Sequence, residues 1–298
     1  MATATVDIGR RSMMGRALHV FWGESRSLAG VLVWIGIGIV VGFIVIAVFA
    51  PWLSPYDPNE LAGAPTQPPS SAHWFGTNRL GQDVLSRVIW GARVPLMVVA
   101  LSSAIALAIG APVGLLSGFY AGPLDRILVL VMDSIYAFPG LLLAIVVAAV
   151  IGPGIVNVSL VIALVYAPTY FRVIRNHVVS VKEQLFVEAA DALALPRTRV
   201  IARYILPSVA QSIPVIFSVS AADAILTQAG LSFLGLGLPV DIPDWGLDVS
   251  RYAGLIRTMW WAVFFPGIMI ITLTTALAFI SEGLNDILNP LLRRREAR

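Results

Sequence analysis

The chain has 298 residues, 58% hydrophobic and 12% charged, with mean hydropathy +0.85 and formal net charge +3. A soluble domain carries about twice that charged fraction, so the composition describes an integral membrane protein. The positive balance is no nucleic-acid signature, because membrane proteins keep basic residues on one side; the lack of cysteine excludes disulfides, thiol catalysis and cysteine-ligated metals.

Residues 1–28 form a basic N-terminal tail carrying Arg10, Arg11, Arg16 and Arg26. The first apolar span runs from about Ala29 to Ala50, long enough to cross a ~30 Å hydrocarbon layer and too long and late for a cleaved signal peptide. A polar, proline-rich segment follows to about residue 92, with Trp52, Trp74 and Trp90 placed as interfacial anchors. Further spans are expected at about Val94–Tyr120, Ile127–Ile151, Ile155–Ile174, Leu206–Ala229 and Trp260–Gly283. The core is therefore 93–284, with a central loop at 176–206, a second polar loop at 230–258 and a C-terminal tail at 285–298. The expected class is all-α, with six transmembrane helices.

Six spans put both termini on one side. That side, with the central loop and the turn at Arg126, holds fifteen basic residues against five on the other face. The positive-inside rule then makes both tails and the central loop cytoplasmic.

Catalytic motifs are missing. With Lys182 the single lysine, no Gly-Lys-Ser/Thr phosphate loop occurs, nor any HExxH or GxSxG. The run GIGIVVG at 36–42 lies inside a span and reads as small-residue helix packing, not a dinucleotide fingerprint. The chain is therefore expected to be non-catalytic.

The central loop carries VEAADALALPRTRVIARYILP, residues 187–207. Gln184 to Leu195 reads as a short helix: Leu185, Ala189 and Leu193 share a face, Phe186, Ala190 and Ala194 lie beside it, and Glu188 and Asp191 fall elsewhere. Such a small-sided apolar face with flanking acids suits docking into a groove of a soluble partner. Its alternatives are solvated surface acids, or a helix lying on lipid. Asp133 and Asp223 fall within spans, where a charge must face the bundle interior, a partner or a watery path; a buried structural hydrogen bond is the plainer reading. Tyr136 and Phe138 beside Pro139 are either part of a gate at a helix bend or ordinary packing. Asp241, Asp244, Trp245 and Asp248 sit on the outer loop, either facing an external partner and plugging the path or simply solvated.

The run EAADALA at 188–194 with Leu206 and Pro207 resembles the EAA signature of bacterial ABC-importer permeases, with Ala194 where that family has glycine. HWFGTNRLGQDVLSRVIWGARVPL at 73–96, FPGLLLA at 138–144, AILTQAGLSFLGLGLP at 224–239, DWG at 244–246 and SEGLNDILNP look like the second permease subunit of dipeptide and oligopeptide importers, over about residues 30–292. The resemblance implies a type I importer permease in the bacterial inner membrane. It implies a homologous second permease, two ATPase subunits that hold ATP and Mg (no cofactor in this chain), an extracytoplasmic solute-binding protein, and no nucleic acid. It makes Leu185, Phe186, Glu188, Ala189, Ala190, Asp191, Leu193 and Ala194 the ATPase-coupling set. Nickel, glutathione and opine importers share the subfamily, so those solutes stay open beside di- and oligopeptides. An ion-coupled secondary transporter is the distant competitor, lacking a clear inverted repeat; a membrane-embedded enzyme is more remote still. Alanine at 194 is expected to affect docking only mildly, being small.

Overall fold

The computed structural model describes residues 28–288; both basic tails, and with them the calls on the termini, lie outside that range. Among the described residues the regular elements are helical, with one isolated β-bridge between Thr77 and Asp83. Five helices are long and apolar enough to cross a membrane, and a bent pair supplies a sixth span if counted as one.

Helix α1 (Leu28–Val48) ends where Pro51 opens the short α2 (Ala50–Leu53). After an irregular segment, α3 (Val84–Gly91) leads directly into α4 (Arg93–Tyr120). Ala121 and Gly122, both at positive φ, reverse the chain into α5 (Gly122–Tyr136). The third span was expected as one run, Ile127–Ile151, with a bend at Pro139. Pro139, which cannot donate a helical hydrogen bond, separates α5 from α6 (Gly140–Ile151), and the two axes meet at 86°. A turn with Gly152 and Gly154 at positive φ leads into α7 (Ile155–Lys182), which continues two turns past the expected end at Ile174.

The central-loop helix α8 (Leu185–Ala192) follows, then α9 (Arg197–Val200), a π turn (Ile201–Ile205) and α10 (Leu206–Ala210). The fifth span, α11 (Ile213–Phe233), starts after a two-residue break. Helix α12 (Trp245–Tyr252) lies in the outer loop, and α13 (Trp260–Leu288) completes the bundle.

The α4–α7 contact is the most extensive helix packing among the described residues. Gly110, Gly114 and Gly118 form one stripe of α4; a Cβ there would stand 2.6 Å from the Ala167 carbonyl oxygen, 2.6 Å from that of Phe171 and 2.8 Å from that of Arg175. This is small-residue packing of the kind that drives helix association in lipid, where burial alone gives little. In the GIGIVVG run only Gly36 plays that part, against the Ala276 carbonyl; Gly38 and Gly42 face open space.

Two ion pairs join α5 to α7. Arg172 pairs with Asp133 at 2.7 Å, and Arg175 pairs with both oxygens of Asp125 at 2.6 and 2.7 Å. Lys182 donates to the Phe119 carbonyl at 2.8 Å, a cation satisfying the C-terminal end of α4.

Candidate functional site

The central loop is built around α8. Val187 and Ala190 point inward and are buried at 1% and 3% exposure, in one cluster with Val181, Val200 and Ile205. This anchors the helix to α7 and the π turn. It also corrects one expectation: Ala190 packs inside the chain and is not available for docking. The other seven residues of the set are exposed. Leu185 and Leu193 are 81% and 74% exposed, although large apolar side chains on a solvated loop gain nothing by facing water. Phe186 is half-exposed and stacks on Tyr204 with ring centroids 6.4 Å apart. Glu188 and Asp191 have no ion pair among the described residues.

Ala194 ends the helix. Its φ is +53°, its N–H reaches the Asp191 carbonyl at 2.9 Å, and the Leu195 N–H closes back on Ala190 at 3.2 Å. This is a left-handed helix stop, where glycine is preferred because it carries no Cβ penalty. The family glycine at this position is therefore explained by backbone conformation rather than by side-chain size. The helix consequently stops short of the expected Leu195.

Within the membrane, the bend at Pro139 opens a cavity of about 420 Å³. Tyr136, Phe138, Tyr166, Thr169 and Asp223 are among its lining residues. The fold thus brings Tyr136, Phe138 and Asp223 together across 87 residues of sequence. Asp133 is not with them; it faces Arg172, whose guanidinium also lies 4.1 Å over the Tyr136 ring. Tyr166 hydroxyl and Thr227 Oγ1 are hydrogen-bonded at 2.9 Å. Asp223 is the eleventh of the 21 residues of α11, is exposed, and has no hydrogen bond or ion pair among the described residues. A second cavity, about 520 Å³, shares Asp223 and Val219 with the first and extends along Ser281, Glu282 and Asn285.

The outer segments fold into a cap held by buried polar contacts. Asp83 caps α3 through the Ser86 N–H at 2.8 Å and pairs with His73 Nδ1 at 2.9 Å. Asn78 Oδ1 accepts from the Leu80 and Gln82 amides at 2.8 and 3.0 Å. Arg87 reaches across 161 residues to Asp248 at 2.8 Å, both side chains being 5% exposed or less. Asp244 caps α12 through the Leu247 N–H at 2.8 Å and accepts from Gln228 at 2.6 Å. Burial pushes the Asp244 carboxyl above its ordinary range, and these hydrogen bonds oppose the push. Trp245 donates from Nε1 to the Val88 carbonyl at 2.9 Å and meets Phe43 edge-on at 5.6 Å. The DWG run has a physical reading: a cap, an anchor, and a Gly246 whose Cβ would lie 2.5 Å from the Ala229 carbonyl oxygen.

The four outer-loop residues therefore separate. Asp244, Trp245 and Asp248 are buried at 1–3% and fasten the cap, so as folded their side chains cannot be the surface that meets an external partner. Asp241 is exposed and lines a surface cleft of about 610 Å³ with Arg79 and Arg251. Sequence reading missed the fasteners Arg87, His73 and Gln228; the Asp83-Val-Leu-Ser86 capping pattern was the available signal.

The family described as "Binding-protein-dependent transport system inner membrane component" matches residues 110–294, and the "N-terminal TM domain of oligopeptide transport permease C" matches residues 31–72. The dipeptide transport system permease protein DppC of Alkalihalophilus pseudofirmus is 36% identical over 260 residues, 87% of this chain and 86% of that protein. The glutathione transport system permease protein GsiD is 35% identical in Pectobacterium atrosepticum over 256 residues (85% of each chain), and 37% identical in Shigella dysenteriae over 258 residues (85% and 84%). Among solved structures, an inward-facing conformation of the MetNI methionine ABC transporter aligns with TM-score 0.55 at 14% identity, covering 68% of this chain and 97% of that one, which supports the fold. This chain belongs to the binding-protein-dependent ABC-importer permeases, of the type of the dipeptide and oligopeptide C subunits, and is a multi-pass protein of the bacterial inner membrane.

Proposed function

We propose that the chain forms half of the translocation path of an ATP-driven importer for di- or oligopeptides, without catalytic activity of its own. Its N- and C-terminal tails and the α8 loop lie in the cytoplasm. A homologous second permease completes the path, two ATPase subunits binding ATP and Mg seat on α8, and a solute-binding protein docks on the outer cap. The observation that carries the reading is α8 itself: an apolar knob, Leu185 and Leu193 outermost, fixed by Val187 and Ala190 and left uncovered by the other described residues. A cytoplasmic groove on an ATPase gives that exposed surface a partner. ATP-driven closure of the ATPase pair then moves α8, and through its anchoring on α7 rocks the bundle between inward- and outward-facing states.

Glutathione is a second reading, favoured by relatives carrying that name at the same identity as the dipeptide permease. Uptake by the complete transporter in proteoliposomes tests both. ATP-dependent accumulation of labelled dialanine supports the peptide reading, and preferential uptake of glutathione supports the second. Transport by this chain alone, without ATP, contradicts both and supports an ion-coupled carrier.

A further inference from the structure

Asp223 is a carboxylate at the centre of a membrane span with no hydrogen-bond or ion-pair partner among the described residues. It sits in the middle of an otherwise apolar exposed stripe of α11, between Val219 (44% exposed) and Leu226 (52%). Lipid cannot lie against it, because an unpaired charge in hydrocarbon costs several kcal/mol. Both cavities on that side of the chain open onto it. The larger share of the first cavity's wall is aromatic or apolar: Tyr136, Phe138 and Tyr166 line it together with Asp223, and no basic residue lines the space. Aromatic faces around one carboxylate are the chemistry that recognises an ammonium ion, by charge and by the ring quadrupole. The Tyr136 ring already accepts a cation on one face, the Arg172 guanidinium at 4.1 Å, and Arg172 has its own carboxylate in Asp133. Asp223 is thus left over for a visitor. A cavity of about 420 Å³ lies within the range that holds a small molecule.

We propose that Asp223, with Tyr136, Phe138 and Tyr166, is a transient site for the protonated amino group of the solute in transit. The proposal rests on the path assigned above and adds a chemical class to it: the path takes solutes bearing a free ammonium and disfavours anions at this level. The second cavity shares Val219 and Asp223 with the first and adds Ser281, Glu282 and Asn285, polar groups that can receive the ammonium when it leaves Asp223.

The absence of cysteine supplies the test. Val219→Cys places one thiol beside Asp223 in the assembled transporter. Its modification by a cationic trimethylammonium-ethyl methanethiosulfonate and by an anionic sulfonatoethyl methanethiosulfonate is followed by mass spectrometry of this chain. Each rate is divided by that of the same reagent with free 2-mercaptoethanol. The expected preference for the cation is about tenfold or more, collapsing towards one with Asp223→Asn and kept with Asp223→Glu. No reaction with either reagent, equal rates, or a preference that survives Asp223→Asn overturns the proposal. So does loss of the second permease on purification of Asp223→Asn, which makes Asp223 a subunit contact. In the same complexes Asp223→Asn is expected to lower ATP-driven dialanine uptake about tenfold. Cation preference without any peptide uptake by the unmodified transporter removes the peptide reading and leaves the site. Peptide uptake with no cation preference removes the site and leaves the reading.

Discussion

The outer cap and the loop around α8 make opposite use of charge and apolar surface. In the cap, charges are buried and matched: Arg87 with Asp248, His73 with Asp83, Asp244 with Gln228. The Trp245 ring that anchors it is 2% exposed. In the loop around α8 the acids Glu188 and Asp191 are unmatched among the described residues, and Leu185 and Leu193 stand in the open. A region that satisfies its own groups is finished by folding. A region that leaves apolar groups out and acids unpaired is finished by another molecule. Substitutions in the first should therefore reduce stability, and substitutions in the second should reduce assembly.

The largest expected effect is in the cap. Arg87→Leu leaves Asp248 buried without its cation and should destabilise the protein by about 3–5 kcal/mol. Thermal unfolding of the detergent-purified chain measures it, and an unchanged midpoint would show that the cap does not depend on the pair. Next, Glu188→Lys or Leu185→Asp should abolish co-purification of the ATPase subunits, or uncouple transport, with stability changed by about 0.5 kcal/mol or less. A fall in thermal midpoint matching that of Arg87→Leu would erase the contrast between the two regions. Ala194→Gly relieves the left-handed alanine and should stabilise the α8 stop by about 1 kcal/mol, read as slower amide exchange at Leu195.

The smallest effect is a pH dependence. Asp244 has its folded-state carboxyl raised by burial, so its contribution to stability is fully present below the ordinary carboxylate range. That contribution is lost as pH rises through the raised value, the reverse of a paired surface carboxylate. Asp244→Asn keeps a cap oxygen and should flatten that part of the stability–pH curve in unfolding experiments.

Much of this was legible in the sequence because bilayer length and hydropathy leave few choices. The spans, the loop at 187–207 and the EAADALA helix follow from apolar run lengths and four-residue spacing. Asp223, Tyr136 and Phe138 could be singled out as a charge and two aromatics in hydrocarbon, and the fold places them on one cavity. What was not legible depends on pairing across the chain. Asp133 looked like a path residue until Arg172, 39 residues away, proved to face it. Asp244, Trp245 and Asp248 looked like a surface facing an external partner because the groups that hold them, Gln228, Val88 and Arg87, lie on other elements. The 86° bend needed Pro139 and the packing of both half-helices, and Ala194's left-handed backbone is hidden by a residue type that rarely adopts it.

The central claim is that α8 is covered by a partner rather than by this chain. Leu193→Cys gives one thiol at its outermost point, since the sequence has no other cysteine. Maleimide labelling should be fast in the isolated chain and strongly suppressed when the ATPase subunits are bound. Equal labelling in the isolated chain and in an assembled, ATP-hydrolysing transporter would contradict the account.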